Sequence, residues 1–189
     1  MPEQNGALRL AIDARQSRFI VKVYSGGPLA KLGHNPTISI TELTGEIEFQ
    51  PAQIEKSWFK VTIKSTSLMV VDDMNEKDRV EIQAVMLKDV LEEGEFPVIT
   101  FHSMEIDAAQ VLEGLYRTEI KGNLSLHGVQ RLHRFTSQIA ILRDGLRASG
   151  DFTLLQTDYG IKLYAIAAGA LRVKDELKFT FDIVAKKVV

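Results

Sequence analysis

The chain contains no cysteine. That excludes disulfides, a thiol nucleophile and thiolate metal sites. It has little excess charge of either sign: 23 Lys and Arg against 25 Asp and Glu, a formal net charge of −2. A nucleic-acid binder leaves a basic footprint, and there is none, so no nucleic-acid partner is expected. No apolar run approaches the roughly 18–20 residues that a helix needs to cross a bilayer, so no transmembrane segment is expected. The start, MPEQNGALRLAIDARQ, lacks a cationic stretch followed by an apolar one. No secretory leader is therefore expected, and the cytoplasm is the expected location. No two of the four histidines stand at tight ligand spacing; His127 and His133 are six apart across a turn. Neither a metal site nor a cofactor is expected. There is no Ser-His-Asp order, nucleophile elbow or phosphate-cradling glycine loop. The expectation is a protein that is not an enzyme.

What the chain does have is alternation of apolar and polar residues with period two, the mark of strands with one buried face. Its 189 residues fit one domain, spanning 1–189. Phe19, Val21 and Val23 share one parity, with Arg18 and Lys22 opposite. Leu43, Gly45, Ile47 and Phe49 share the next, then Phe59, Val61 and Ile63. Phe101 lies in the strand that follows Pro97. Ile120, Gly122 and Leu124 fall on one side of a later strand, and Phe135 and Ile139 on one side of its successor. Ala148, Gly150 and Phe152 follow the Asp144-Gly145 hairpin signal, and Phe179 and Phe181 lie in the last strand. Between Asp73 and Gly94 the period changes. The spacing predicts one amphipathic surface helix over residues 75–93, capped by Asn75 and ended by Gly94 and Pro97.

Eight to ten strands with one greasy face each are satisfied by a closed antiparallel barrel, because closure removes exposed edges. An eight-stranded barrel either fills with side chains or holds one small ligand. Gly45, Gly122 and Gly150 bear on that choice, since all three sit on the apolar parity. They mark either corners and close approaches or missing side chains that widen the interior. Ser65, Ser67 and Thr118 share the inward parity and are candidate polar spots. A narrow apolar bore favours a long, thin guest: each buried methylene contributes about 0.8 kcal/mol, so a few tens of carbons outweigh an association cost of roughly 4–15 kcal/mol.

Residues 159–171 fit neither a helix nor a half-exposed strand. The segment holds Lys162 between Tyr159 and Tyr164, then the small-residue run 165–170. It reads as a mouth or lid. His34, in a turn beside Lys31 and ahead of Pro36, is the other candidate head-group contact.

At this point the motifs resemble a known family. TDYGIKLYAIAAGALRVKDELKFTF resembles the closing segment of YceI-like proteins. FPVITF is similar to their F-P-x-I-x-F element, and GNLSLHGV at 122–129 to their G-x-L-x-[LI]-x-G-V strand and turn. Gly33-His34-Asn35 is similar to a glycine–histidine step found in part of the family. The resemblance spans residues 8–186. It implies a lipocalin-like, extended eight-stranded antiparallel barrel around an apolar tunnel for polyisoprenoids or other long-chain amphiphiles, without known catalysis. Many relatives are periplasmic. The family has no fixed head-group ligand set, so none is carried over, and Leu163 replaces a proline common in relatives. The expected partner is a long-chain isoprenoid, a lipid quinone or a fatty amphiphile, with a homodimer through an exposed strand or the helix. Two other readings stand beside this one: an enzyme on such a lipid using His34 with Tyr159 or Tyr164, and a solidly packed barrel serving as an interaction module.

Overall fold

The computed structural model describes residues 6–188. In chain order the strands are β1 (Leu8–Ile12), β2 (Arg18–Lys22), β3 (Ser25–Gly26), β4 (Thr37–Ile40), β5 (Leu43–Phe49), β6 (Trp58–Lys64) and β7 (Leu68–Val70). The helix α1 (Glu76–Val85) follows and runs straight into a π-helical turn, Met86–Val90. Then come the long strands β8 (Val98–Leu112), β9 (Leu115–Leu126), β10 (Val129–Leu142) and β11 (Gly145–Leu155). The short β12 (Ala165–Ile166) and β13 (Leu171–Val173) precede β14 (Glu176–Lys187).

Eight strands close an antiparallel barrel in the order β1-β5-β6-β8-β9-β10-β11-β14, and β14 returns to β1 through Leu10↔Lys187 and Ile12↔Ala185. The lower end carries the β8–β9 and β10–β11 turns and a 3₁₀ turn, Ile54–Lys56. At the upper end β14 leaves β1 and pairs with β2 instead, through Phe179↔Val21 and Phe181↔Phe19. From β2 the sheet continues to β4 and ends on β7. The breaks that allow this flare are polar. Asp13 turns the chain between β1 and β2 by accepting from the Arg15 amide and the Gln16 side chain. The 3₁₀ turn Ser65–Ser67 separates β6 from β7.

The flare leaves the outer edge of β7 without a neighbouring strand, and α1 takes that place. Gln83 behaves as a piece of strand: its Nε2 donates to the Leu68 carbonyl at 2.6 Å, and its Oε1 accepts from the Val70 amide at 2.8 Å. The helix begins where expected, because Asn75 Oδ1 accepts from the Asp78 amide at 2.9 Å. It is shorter than the 75–93 reading. The apolar spacing of Leu87 and Leu91 continues, but the backbone widens to a π-turn and then reaches positive φ at Glu92.

Two of the three tight hairpins differ in kind. His127 and Gly128 both have positive φ (52° and 72°), as a two-residue turn matched to strand twist requires. At the other, the loop residues are Arg143 and Asp144, with Leu142 facing Gly145. Gly145 is therefore already in the strand. It has to be glycine because the Ala185 carbonyl occupies the space a side chain would need.

Candidate functional site

The barrel encloses a cavity of about 580 Å³ whose lining runs from Leu32, His34 and Tyr164 at the upper end to Ile54 and Leu146 at the lower end. That volume falls within the roughly 300–1,000 Å³ typical of ligand pockets. Its wall is apolar by parity. Phe19, Val21, Val23, Leu43, Ile47, Phe59, Val61 and Ile63 all face it. So do Phe101, Ile120, Leu124, Phe135, Ile139, Ala148, Phe152, Phe179 and Phe181. Several of these phenylalanines retain partial exposure deep inside the molecule, because they face hollow space rather than packed neighbours.

The wall has three zones. An aliphatic cluster including Leu43, Leu68, Leu124 and Leu154 forms the upper part. A second, including Leu10, Phe49, Ile54, Ile106 and Ile120, forms the lower part. Between them lies an aromatic waist. Phe152 and Phe179 stack at 4.6 Å and 3°, Phe19 meets both edge-on, and Phe101 lies 5.5 Å from Phe135.

Six of the residues read from the sequence lie elsewhere. Gly45, Gly122 and Gly150 do not widen the bore. A side chain at Gly45 would collide with Ile12, one at Gly122 with the Phe101 ring and the His102 carbonyl, and one at Gly150 with the Phe181 ring at 2.9 Å and the Thr136 carbonyl at 2.7 Å. The glycines are close-approach positions, filled by the protein's own atoms. Phe49 is buried in the lower cluster with Leu10 and Ile54, where it supports the floor without lining the cavity. Tyr159 is 2% exposed and packed into the upper cluster rather than placed at the mouth, and burial pushes its hydroxyl above the ordinary value. Lys162 is exposed outside the cavity lining. Ser65, Ser67 and Thr118 are buried too. Their hydroxyls donate to the Phe96, Lys64 and Ser137 carbonyls, so they serve the wall and not its contents.

The mouth is made where the helix meets the 159–171 segment. Ile161, Tyr164, Ile166 and Leu171 line it from that segment, as do Ile82, Val85 and Met86 from the helical side. His34 Nε2 lies 3.3 Å from Asp78 Oδ2 in the first turn of α1. Past the far end of the helical segment, His127 Nε2 lies 2.7 Å from Glu92 Oε2, and Nδ1 lies 3.3 Å from the Tyr159 carbonyl. Both His127 nitrogens thus face acceptors. The two histidines fasten the helical lid at both ends.

Parity reasoning passed over His133, although it shares the inward parity of Phe135 and Ile139. It lines the cavity 5.0 Å from the Phe152 ring. Among the described residues its Nε2 is the one buried side-chain nitrogen or oxygen without a hydrogen-bond partner. Such an orphan costs about 1–3 kcal/mol. Burial holds its pKa below the ordinary histidine value of 6.5, so the ring is neutral at neutral pH. The inner face of the helix was also missed as lining, because a 3.6 period reveals an apolar face but not what it covers. Among the described residues no group of three or more His, Asp or Glu is placed to hold a metal ion, and no helix is long and apolar enough to cross a membrane.

Comparison with known proteins agrees with this geometry. The family model for the YceI-like domain matches residues 10–185. A polyisoprenoid-binding domain from Saccharophagus degradans, implicated in plant cell wall breakdown, superposes with a TM-score of 0.67 at 14% identity, covering 96% of this chain and 99% of that one. BcnA of Burkholderia cenocepacia gives 0.64 at 17% identity, covering 93% and 99%. The YceI protein of Campylobacter jejuni gives 0.61 at 16%, covering 83% and 88%. At these identities the likeness is one of fold. No curated protein matches the chain.

Proposed function

The chain belongs to the YceI-like family, and on that footing we propose that it is a non-catalytic carrier or store for a long-chain isoprenoid lipid. The observation that carries this reading is the apolar cavity running between the two ends of the barrel, roofed by a helix held on by side chains. A solidly packed interaction module has no such void. Of the pairs an enzyme would use, His34 with Tyr159 loses one group, because Tyr159 is enclosed in the upper cluster and does not line the cavity, whereas His34 and Tyr164 both line the mouth.

A carrier needs a bore that accepts a chain of weakly defined length, walls that solvate hydrocarbon, and a closure that opens without dismantling the fold. Each is present in a distinct part of the molecule. The aromatic waist and the aliphatic zones offer contact surface at every depth, and the lid adds Ile82, Val85 and Met86. Lipid quinones fall within the same class, since a polyprenyl tail is what the wall recognises.

Native mass spectrometry and solvent extraction of the purified protein test the reading. An isoprenoid lipid retained through purification, or taken up from detergent in one-to-one ratio, supports it. A protein that neither retains nor acquires any long amphiphile overturns it.

A further inference from the structure

The polar side chains along the cavity wall are mostly committed to the protein. Gln156 Nε2 donates to the Lys174 carbonyl at 2.9 Å. Ser137 Oγ reaches the Ser149 carbonyl at 3.3 Å, and Ser57 Oγ accepts from the Gln50 amide at 2.9 Å. His34 has Asp78. His133 is the one whose unpartnered atom is buried, among the described residues. It lies on β10, four residues below the upper hairpin, where the aliphatic upper zone gives way to the aromatic waist. Its neighbours are the rings of Phe135 and Phe152, which offer Nε2 no acceptor and no N–H or O–H. A valine or leucine would fill the same place at no polar cost.

We infer that His133 is the station for the guest's polar group, and that the guest is an isoprenoid carrying a neutral oxygen function, a hydroxyl or a carbonyl. This deepens the carrier reading and rests on it. A neutral imidazole has one N–H and one lone pair, so it donates to a carbonyl oxygen and does either with a hydroxyl. A phosphate or diphosphate head does not fit this depth. The charged side chains that line the cavity are Asp78, Glu81 and Arg172, all on elements of the mouth, and two of the three are acidic. An anion at the waist would be desolvated with no cation beside it. A pure hydrocarbon leaves the orphan nitrogen as it is. Because Nε2 is covered by its aromatic neighbours, engagement requires the imidazole or an adjoining ring to turn toward the bore.

Three probes of related skeleton separate the cases: geranylgeraniol, geranylgeranyl diphosphate and squalene. Competition for the wild-type protein is read by native mass spectrometry and compared with His133→Phe, and with His133→Leu if the phenylalanine overfills the waist. The expected result is a wild-type preference of about tenfold for the alcohol over squalene, the size of one net hydrogen bond. In the variants that preference falls to near one while squalene uptake holds. The ring nitrogens of His133, followed by ¹⁵N NMR, shift when geranylgeraniol binds and stay put with squalene. An undiminished alcohol preference in the variants, or diphosphate binding the wild type better than the alcohol, overturns the assignment of His133 and leaves the carrier reading standing. Failure of the wild type to take up any of the three overturns the carrier reading itself.

Discussion

The two ends of the barrel are closed by different means. Below the waist, β1, β5, β6, β8, β9, β10, β11 and β14 form one closed ring of backbone ladders, and the floor is packed from Leu10, Phe49 and Ile54. Above it the ring opens into β2, β4 and β7, and the gap is spanned by a helix. That helix is joined to its surroundings by the Gln83 amide and the pairs His34–Asp78 and His127–Glu92, together with an apolar inner face. A ladder opens only cooperatively, whereas isolated side-chain links open one at a time. One end is closed by continuous backbone pairing and the other by separate side-chain links, within a single chain.

That contrast can be broken or sharpened by substitution. The largest effect belongs to the floor. Leu10→Ala removes a side chain that is 2% exposed and should cost about 2–5 kcal/mol of global stability in denaturant unfolding. A loss under 1 kcal/mol would mean that the lower end is looser than its ladders imply. Next is Gln83→Ala. It leaves the Val70 amide and the Leu68 carbonyl unpaired, worth about 1–3 kcal/mol locally. Amide exchange should accelerate at β7 and α1 and stay unchanged in β10. Uniform acceleration everywhere would erase the distinction between the two ends. Glu92→Gln is smaller, within about 1 kcal/mol for so exposed a partner. It should raise the rate of guest release without lowering the melting temperature; slower release would show that this latch does not hold the lid.

The smallest effect is one of pH. His133 is buried neutral, with its folded-state pKa lowered by desolvation. The contribution is fully present above the ordinary value of 6.5. It erodes as pH falls below that value toward the lowered one, because the unfolded chain takes the proton first. His133→Leu should flatten that part of the stability profile. An unchanged slope there would assign it to other groups.

Much of this was legible in the sequence, and the limits have physical causes. Period-two parity named the wall correctly at Phe19, Phe59, Phe101, Phe152 and Phe179, because a closed barrel leaves an apolar face nowhere to go but inward. Parity says nothing of how far a wall stands from the hollow. Phe49 and Gly45 therefore share a parity with Ile47, yet only Ile47 reaches the cavity. The aromatic and charged composition around 159–164 marked a mouth, but which of Tyr159 and Tyr164 turns inward depends on a left-handed Gly160 that ends the 3₁₀ turn. The helix was visible as amphipathic. Its task was not, since the unpaired edge of β7 arises only from the tertiary flare.

Gly122 and Gly150 seat two rings of the wall. The rings of Phe101 and Phe181 lie close over them, where any other residue would place a side chain. Each ring lies directly against strand backbone that carries no side chain, so both sit farther out toward the wall than a larger residue would allow. One methyl group at either notch would crowd both a ring and the adjoining strand's carbonyl. Either the ring or the strand behind it would have to move to make room.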